Sequence, residues 1–244
     1  MANCVIEPGV AATVSSSENA LKLIVANAYG LYTTKNKTKV KFLKEYSLTE
    51  QASIICVTET HLNPSIRDAE IGMEDHTVYR CDRSEGRPRG GVAIYIKENK
   101  SWSVDVLLCH SNSFVETLAV YVKALNLLLI TIYRPPECDE SKFKNSLQML
   151  SGVIRGVGPP MPEVVIVGDL NCPHLNWETL TIAGAPTLER KQAEMLRQFM
   201  EEWCMVQFVD LPTRKNNILD VVITNNKDLV HSINMDKTIH SDHR

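Results

Sequence analysis

Four apolar runs in this chain of 244 residues each close on a side chain capable of polar chemistry. LKLIVA ends at Asn27, SIICVT at Glu59, LLLITI at Tyr133 and VVIVG at Asp169, with Asn171 two residues further on. A fifth run, ILDVVIT, carries Asp220 within it, and a buried carboxylate must have a partner. That partner is either backbone N–H groups or a histidine, which an acid orients in many hydrolytic sites. HSDHR supplies one, placing Asp242 and His243 after Ser241. Taken singly, a polar residue closing an apolar run is how most strands return to water. Taken together, strands that point the same way bring Asn27, Glu59, Tyr133, Asp169 and Asn171 to one rim, where loops on a rigid scaffold carry chemistry. No G-x-S-x-G elbow or Cys-His nucleophile motif accompanies them.

The elements that must hold these residues follow from the hydrophobic pattern. Strand-length runs recur at 21–27, 53–59, 90–97, 113–123, 125–133, 163–169 and 218–224, most of them β-branched and bounded by Gly, Pro or Asn. Helical periodicity fills about 37–51, 139–154 and 188–203. SFVETLAVYVK and LNLLLITIY meet at Ala124 to Asn126, which predicts a tight hairpin between two long antiparallel strands. RGVGPPMP, at 155–162, ends the second helix and resets the chain. Residues 1–20 lack a sustained period and read as a flexible lead-in, with the fold starting near Leu21. Clustered strands with interspersed helices predict α+β layering in one domain.

The size and 44% hydrophobic content allow one large core without staples. Seven cysteines, odd in number and scattered singly, point to a reducing compartment. Neither a leader nor a long apolar run supports secretion or a membrane span, so a soluble intracellular protein is expected. A net charge of -3 argues against a sequence-blind phosphate binder. Two local clusters run the other way: Lys35, Lys37, Lys39, Lys41 and Lys44, and Arg80, Arg83, Arg87 and Arg89. Each fits either a phosphate backbone or a solvated surface.

The motifs, in order, are NAYG from Asn27, ETH at 59–61, RGGVAIYI at 89–96, YRPP at 133–136, GDLN at 168–171, PTR at 212–214, ILDVVIT at 218–224 and SDH at 241–243. They resemble the endonuclease/exonuclease/phosphatase superfamily over residues 21–244. YRPP and the PTR…ILD stretch look most like the endonuclease domain of LINE-type (non-LTR) retrotransposons. The resemblance implies a deoxyribonuclease-like four-layered α/β sandwich, two mostly antiparallel sheets flanked by helices, lacking its last strand where the sequence stops after SDH. It implies a magnesium-dependent DNA nickase, with Mn2+ able to substitute, that primes reverse transcription at a target site. Glu59 would be the main metal ligand, with Asn27 and Asp242 completing the surroundings. Asp169 would orient or deprotonate water, Asn171 hold a phosphate oxygen and Tyr133 position the phosphate or the leaving oxygen. His243, fixed by Asp220, would contact the scissile phosphate, while Arg89, Arg134, Thr213 and Asn171 would touch DNA.

The implied setting is a monomer, acting on DNA in the nucleus, off membranes, fused to or followed by a reverse transcriptase. Two alternatives share the fold: a phosphoesterase acting on inositol phosphates or lipids, and a truncated copy that binds DNA without cutting it. The Arg-rich loop before GGV favours DNA. One departure from the pattern is Tyr29, where relatives commonly carry Asn or Asp.

Overall fold

Alternating burial within the long apolar runs lets each serve two hydrophobic layers at once, and the chain uses this to stack helices, sheet, sheet and helices. The computed structural model describes residues 10–16, 19–32, 38–84 and 89–235. The first sheet contains β1 (Val10–Ser16), β2 (Asn19–Asn27), β3 (Ile54–Thr58), β4 (His76–Cys81), β5 (Val92–Lys97) and β12 (Val230–Met235), in the order β12-β1-β2-β3-β5-β4. The second contains β6 (Val104–Ser111), β7 (Glu116–Val122), β8 (Leu127–Tyr133), β9 (Glu163–Asp169), β10 (Val206–Gln207) and β11 (Asp220–Thr224), in the order β10-β11-β9-β8-β7-β6. Both sheets are mixed: β2 runs parallel to β3 and β8 parallel to β9, while their other pairings are antiparallel.

The inner faces meet in one core in which Leu23, Val25, Ile54, Cys56 and Ile94 of the first sheet pack against Leu118, Val120, Leu129, Val165 and Val167 of the second. The intervening residues face outward. Ile24, Ile55, Val57 and Tyr95 pack with Val40 and Leu43 of α1 (Thr38–Glu50). On the other side Leu128, Ile130, Ile132 and Ile166 pack under α3 (Glu140–Val157) and α4 (Thr187–Glu202). In α3 the apolar positions Phe143, Leu147, Leu150 and Ile154 recur at helical spacing, and Asp139 caps the start by accepting from the Lys142 N–H at 3.1 Å. The four-layered α/β sandwich expected from the sequence is therefore the fold. A short helix, α2 (Asp68–Ile71), lies in the connection to β4.

The expected hairpin is present: β7 and β8 pair in register from Glu116↔Tyr133 to Val122↔Leu127, joined by a 3-10 turn, Lys123–Leu125, with Asn126 in left-handed conformation. The lead-in reading is corrected. Residues Val10–Ser16 form β1, antiparallel to β2 from Val10↔Val25 to Ser16↔Asn19 and to β12 on its other side, so folded structure precedes Leu21. Strands β4, β6, β10 and β12 were also not expected; they are the four sheet edges, half exposed and mixed in composition. No helix among the described residues is long and apolar enough to cross a membrane.

Candidate active site

Strand direction brings the polar residues together. β2, β3, β8 and β9 run toward one rim and end there at or beside Asn27, Glu59, Tyr133 and Asp169. β7 and β11 run away from it and begin there, with Glu116 opposite Tyr133 and Asp220 opposite Asp169. Beyond the first sheet, three loops continue the pairing through backbone bonds: Ala28 N–H to Thr58 O, Gly30 N–H to Glu59 O, and His61 N–H to Gly90 O. The loops hold unusual backbone. Tyr29, Glu59, His61 and Asn171 all have positive φ, between 41° and 51°, and conformations of this kind cost about 1–3 kcal/mol each and collect at functional sites.

One amide links the two sheets. The Nδ2 of Asn27, a residue 2% exposed, donates to Glu59 Oε1 at 2.9 Å and to Asp169 Oδ2 at 3.2 Å, and its Oδ1 accepts from the Tyr29 N–H. Burial pushes the Glu59 carboxyl upward, but contacts from His61, Asn27 and Tyr133 outweigh it and hold Glu59 below its ordinary value. His61 is a loose partner, with Nε2 3.5 Å from Glu59 Oε2 and no formed hydrogen bond. Tyr133 is driven the other way: burial first, then the negative charges of Glu59 and Asp169, raise its pKa and keep the phenol protonated. Asp169 Oδ1 accepts the Asn171 N–H at 3.1 Å, which folds GDLN back on itself.

Cations surround this acidic centre. A cavity of about 200 Å³ is lined by Tyr29, Glu59, Arg83, Arg89, Tyr133 and Arg214, among others. Arg89 donates to the Tyr29 hydroxyl at 3.1 Å. Arg83 pairs with the fully buried Glu116, which also accepts the Gly91 N–H at 3.1 Å. Burial raises the Glu116 pKa despite Arg83. Glu116, Arg83, His61 and Arg214 were not singled out from the sequence as site residues. Glu116 carried a usable signal, since it is a carboxylate inside an apolar run, the same feature that drew attention to Asp220.

Not every expectation survives. Arg134, expected on DNA, is 2% exposed and commits its guanidinium inward. It donates to Leu170 O at 2.7 Å, Asn171 O at 2.8 Å and Gln192 Oε1 at 3.0 Å, with a further contact to Cys172 Sγ at 3.3 Å. The physical reason is that GDLN turns away from the sheet and leaves carbonyls that a buried fork of donors can satisfy. Thr213 is likewise buried, and its hydroxyl oxygen accepts from the N–H groups of Leu219 and Asp220 at 3.0 and 3.1 Å. Asn171 donates to Arg134 O at 2.8 Å. Within the basic clusters, Arg80 is tied to Asp68 and Asp82 and Lys39 to the carbonyls of Ala28 and Tyr29. Asp242 and His243, with Lys35, Lys37 and Arg87, lie outside the described residues.

Among the described residues no three His, Cys, Asp or Glu side chains close on one point. Glu59 and Asp169, held side by side by one amide nitrogen, offer carboxylate oxygens that suit magnesium, a hard cation that takes one or two carboxylates and completes its shell with water and substrate phosphate.

The two-sheet sandwich is a deoxyribonuclease-like fold, shared with the solved structures it superposes on. Residues 127–244 match the family model described as endonuclease-reverse transcriptase. Among solved structures, the endonuclease domain of TRAS1, a telomere-specific non-LTR retrotransposon, superposes with a TM-score of 0.60 at 18% identity, covering 91% of this chain and 94% of that one. The AP endonuclease LMAP from Leishmania major follows at 0.56 and 14%, covering 84% and 78%. The Xenopus laevis APE2 catalytic domain gives 0.51 and 18%, covering 85% and 82%. No curated protein sequence matches the chain. The chain thus resembles LINE-type retrotransposon endonucleases in its motifs, in its C-terminal family match and in its fold.

Proposed function

We propose that the chain is a magnesium-dependent DNA endonuclease that nicks one strand and so provides the end from which a retrotransposon's reverse transcriptase is primed. The observation that carries this reading is the Asn27 amide touching Glu59 from one sheet and Asp169 from the other, because it sets a water-activating type beside Glu59, a metal-ligand type in the wall of an arginine-lined cavity. When bound at Glu59, with Asn27 and Asp242 around it, magnesium or manganese offsets the charge that builds on the phosphoryl oxygens. Asp169, anchored by the Asn171 N–H, accepts a proton from the attacking water. Tyr133, held protonated, donates to the phosphate or the leaving oxygen. Arg83, Arg89 and Arg214 line the cavity with positive charge for a phosphodiester. His243 completes the reading as the residue that meets the scissile phosphate, with Asp220 as its partner. The domain acts as a monomer, in the nucleus.

Supercoiled plasmid incubated with magnesium tests this reading. Open-circle product is expected, falling by about 10³-fold in Glu59→Gln while circular dichroism stays unchanged. Hydrolysis of small phosphoesters with intact plasmid overturns the reading in favour of a phosphoesterase. DNA retention without nicking overturns it in favour of a binding copy.

A further inference from the structure

The seven cysteines are scattered in the sequence but not all in the fold. Cys81, which ends β4, and Cys109, within β6, bring their Sγ atoms to 2.7 Å. A disulfide bond is about 2.05 Å long, so less than an ångström of movement separates the pair from bonding. β4 and β6 are edge strands of different sheets and pack against each other on one side of the sandwich. We propose that Cys81 and Cys109 form an oxidative modification site, at which a hydroperoxide drives a reversible disulfide that staples the two sheets along this edge.

The two thiols are unequal in the way such a reaction needs. Cys109 is exposed and meets an oxidant first, whereas Cys81 is 1% exposed and waits behind it. The hydrogen bond between the sulfurs, reinforced by burial, keeps the proton on Cys81. The same bond lowers the Cys109 pKa, which favours its thiolate as the attacking group. The Cys109 thiolate attacks the peroxide O–O bond and becomes a sulfenic acid, and the departing alkoxide or hydroxide takes up a proton. The Cys81 sulfur then attacks the sulfenic sulfur. The S–S bond forms, the S–O bond breaks, and the hydroxyl leaves as water with the Cys81 proton. Two thiols are oxidised and one hydroperoxide is reduced to alcohol, or to water, and water.

Three of the other thiols are shielded, whereas Cys204 is exposed like Cys109, so the neighbouring sulfur of Cys81 is what sets the pair apart. Cys56 and Cys138 are buried with their pKa values pushed up to about 12, and burial raises Cys172 as well. In a reducing compartment a disulfide of this kind is transient and signals oxidant exposure. Cys81 sits between Arg80, whose guanidinium binds Asp68 and the carbonyls of Asn63 and Ile66, and Arg83, which pairs with Glu116 at the rim. The staple therefore stiffens the wall beside the cavity.

Mild hydrogen peroxide treatment of the reduced chain, followed by thiol titration and peptide mass mapping, tests the site without reference to nuclease activity. The expected result is loss of two thiols of seven and a peptide linking 81 to 109. The linkage reverses with dithiothreitol, and the oxidised chain melts roughly 5–10 °C higher. In Cys109→Ser, a change at an exposed position, the linkage and the Tm rise disappear. Sulfinic acid at Cys109 without linkage, a disulfide to another cysteine or between chains, or the same two-thiol loss in Cys109→Ser overturns the proposal.

Discussion

Arg134 shows how one residue can belong to the site without facing it. Its side chain satisfies the carbonyls of Leu170 and Asn171, the two residues after Asp169, and anchors them to Gln192 of α4. Asp169 is thereby fixed from behind by its own loop. Arg134→Lys loses the planar fork, and a single ammonium cannot reach the same set of acceptors. Each buried carbonyl left unsatisfied costs about 1–3 kcal/mol. The variant is expected to unfold at lower denaturant with an unchanged m-value, by about 2–4 kcal/mol in total. Nicking below its Tm should fall as well, since GDLN loosens around Asp169. Equal stability of Arg134→Lys and the parent in urea titration would remove Arg134 from this role. The sequence offered only a cation after Tyr133, and nothing in YRPP distinguishes a surface cation from one buried under a loop.

Among the elements, β9 is the one whose register the site depends on, and a glycine sets it. Gly168 has φ of +132°, and a Cβ there would lie 2.0 Å from Ile132 O on the neighbouring β8. That neighbour is backbone held in the β8–β9 ladder, so it cannot yield without breaking the pairing Tyr133↔Asp169. Gly168→Ala is expected to cost about 4 kcal/mol or more. Gly152→Ala, on α3 with nothing within 4 Å, should instead gain about 0.5–1 kcal/mol. Opposite signs in chemical denaturation check both, and matching signs would show that close approach at Gly168 is not what matters. The central strands were legible in the sequence because burial on both faces makes them continuous apolar runs. HTVYRC and VDVLLCHS, the edge strands β4 and β6, were not, since one side faces water and their patterns mix polar with apolar residues. For the same reason the Cys81–Cys109 contact was invisible, as it needs two strands that the pattern does not announce. The rim residues Asn27, Tyr133 and Asp169 were legible because each ends such a run, as was Glu59 just beyond one. Glu116 begins its strand on the same rim, and reading only strand ends passed over it.

For the molecule as a whole, the position of Glu59 relative to Asp169 is not set within either sheet. One carboxylate comes from each, and their separation is the spacing of the sandwich, fixed by the core between the inner faces. Outer layers stabilise the same fold without entering that spacing. Leu118 lies in the inter-sheet core and Leu150, on α3, lies in the outer one, and both are 1% exposed. Leu118→Ala and Leu150→Ala should each cost about 2–5 kcal/mol from the cavity left behind. Their effects on catalysis should differ. Collapse around a void at Leu118 shifts one sheet against the other, and misplacement near 1 Å can reduce rate by about 10²-fold. A void at Leu150 moves a helix over a sheet that keeps its place. Nicking rates measured well below both Tm values are therefore expected to drop 10-fold or more in Leu118→Ala and to stay within about 2-fold in Leu150→Ala. Equal losses in the two variants would mean that overall stability, not the distance between the sheets, governs the site.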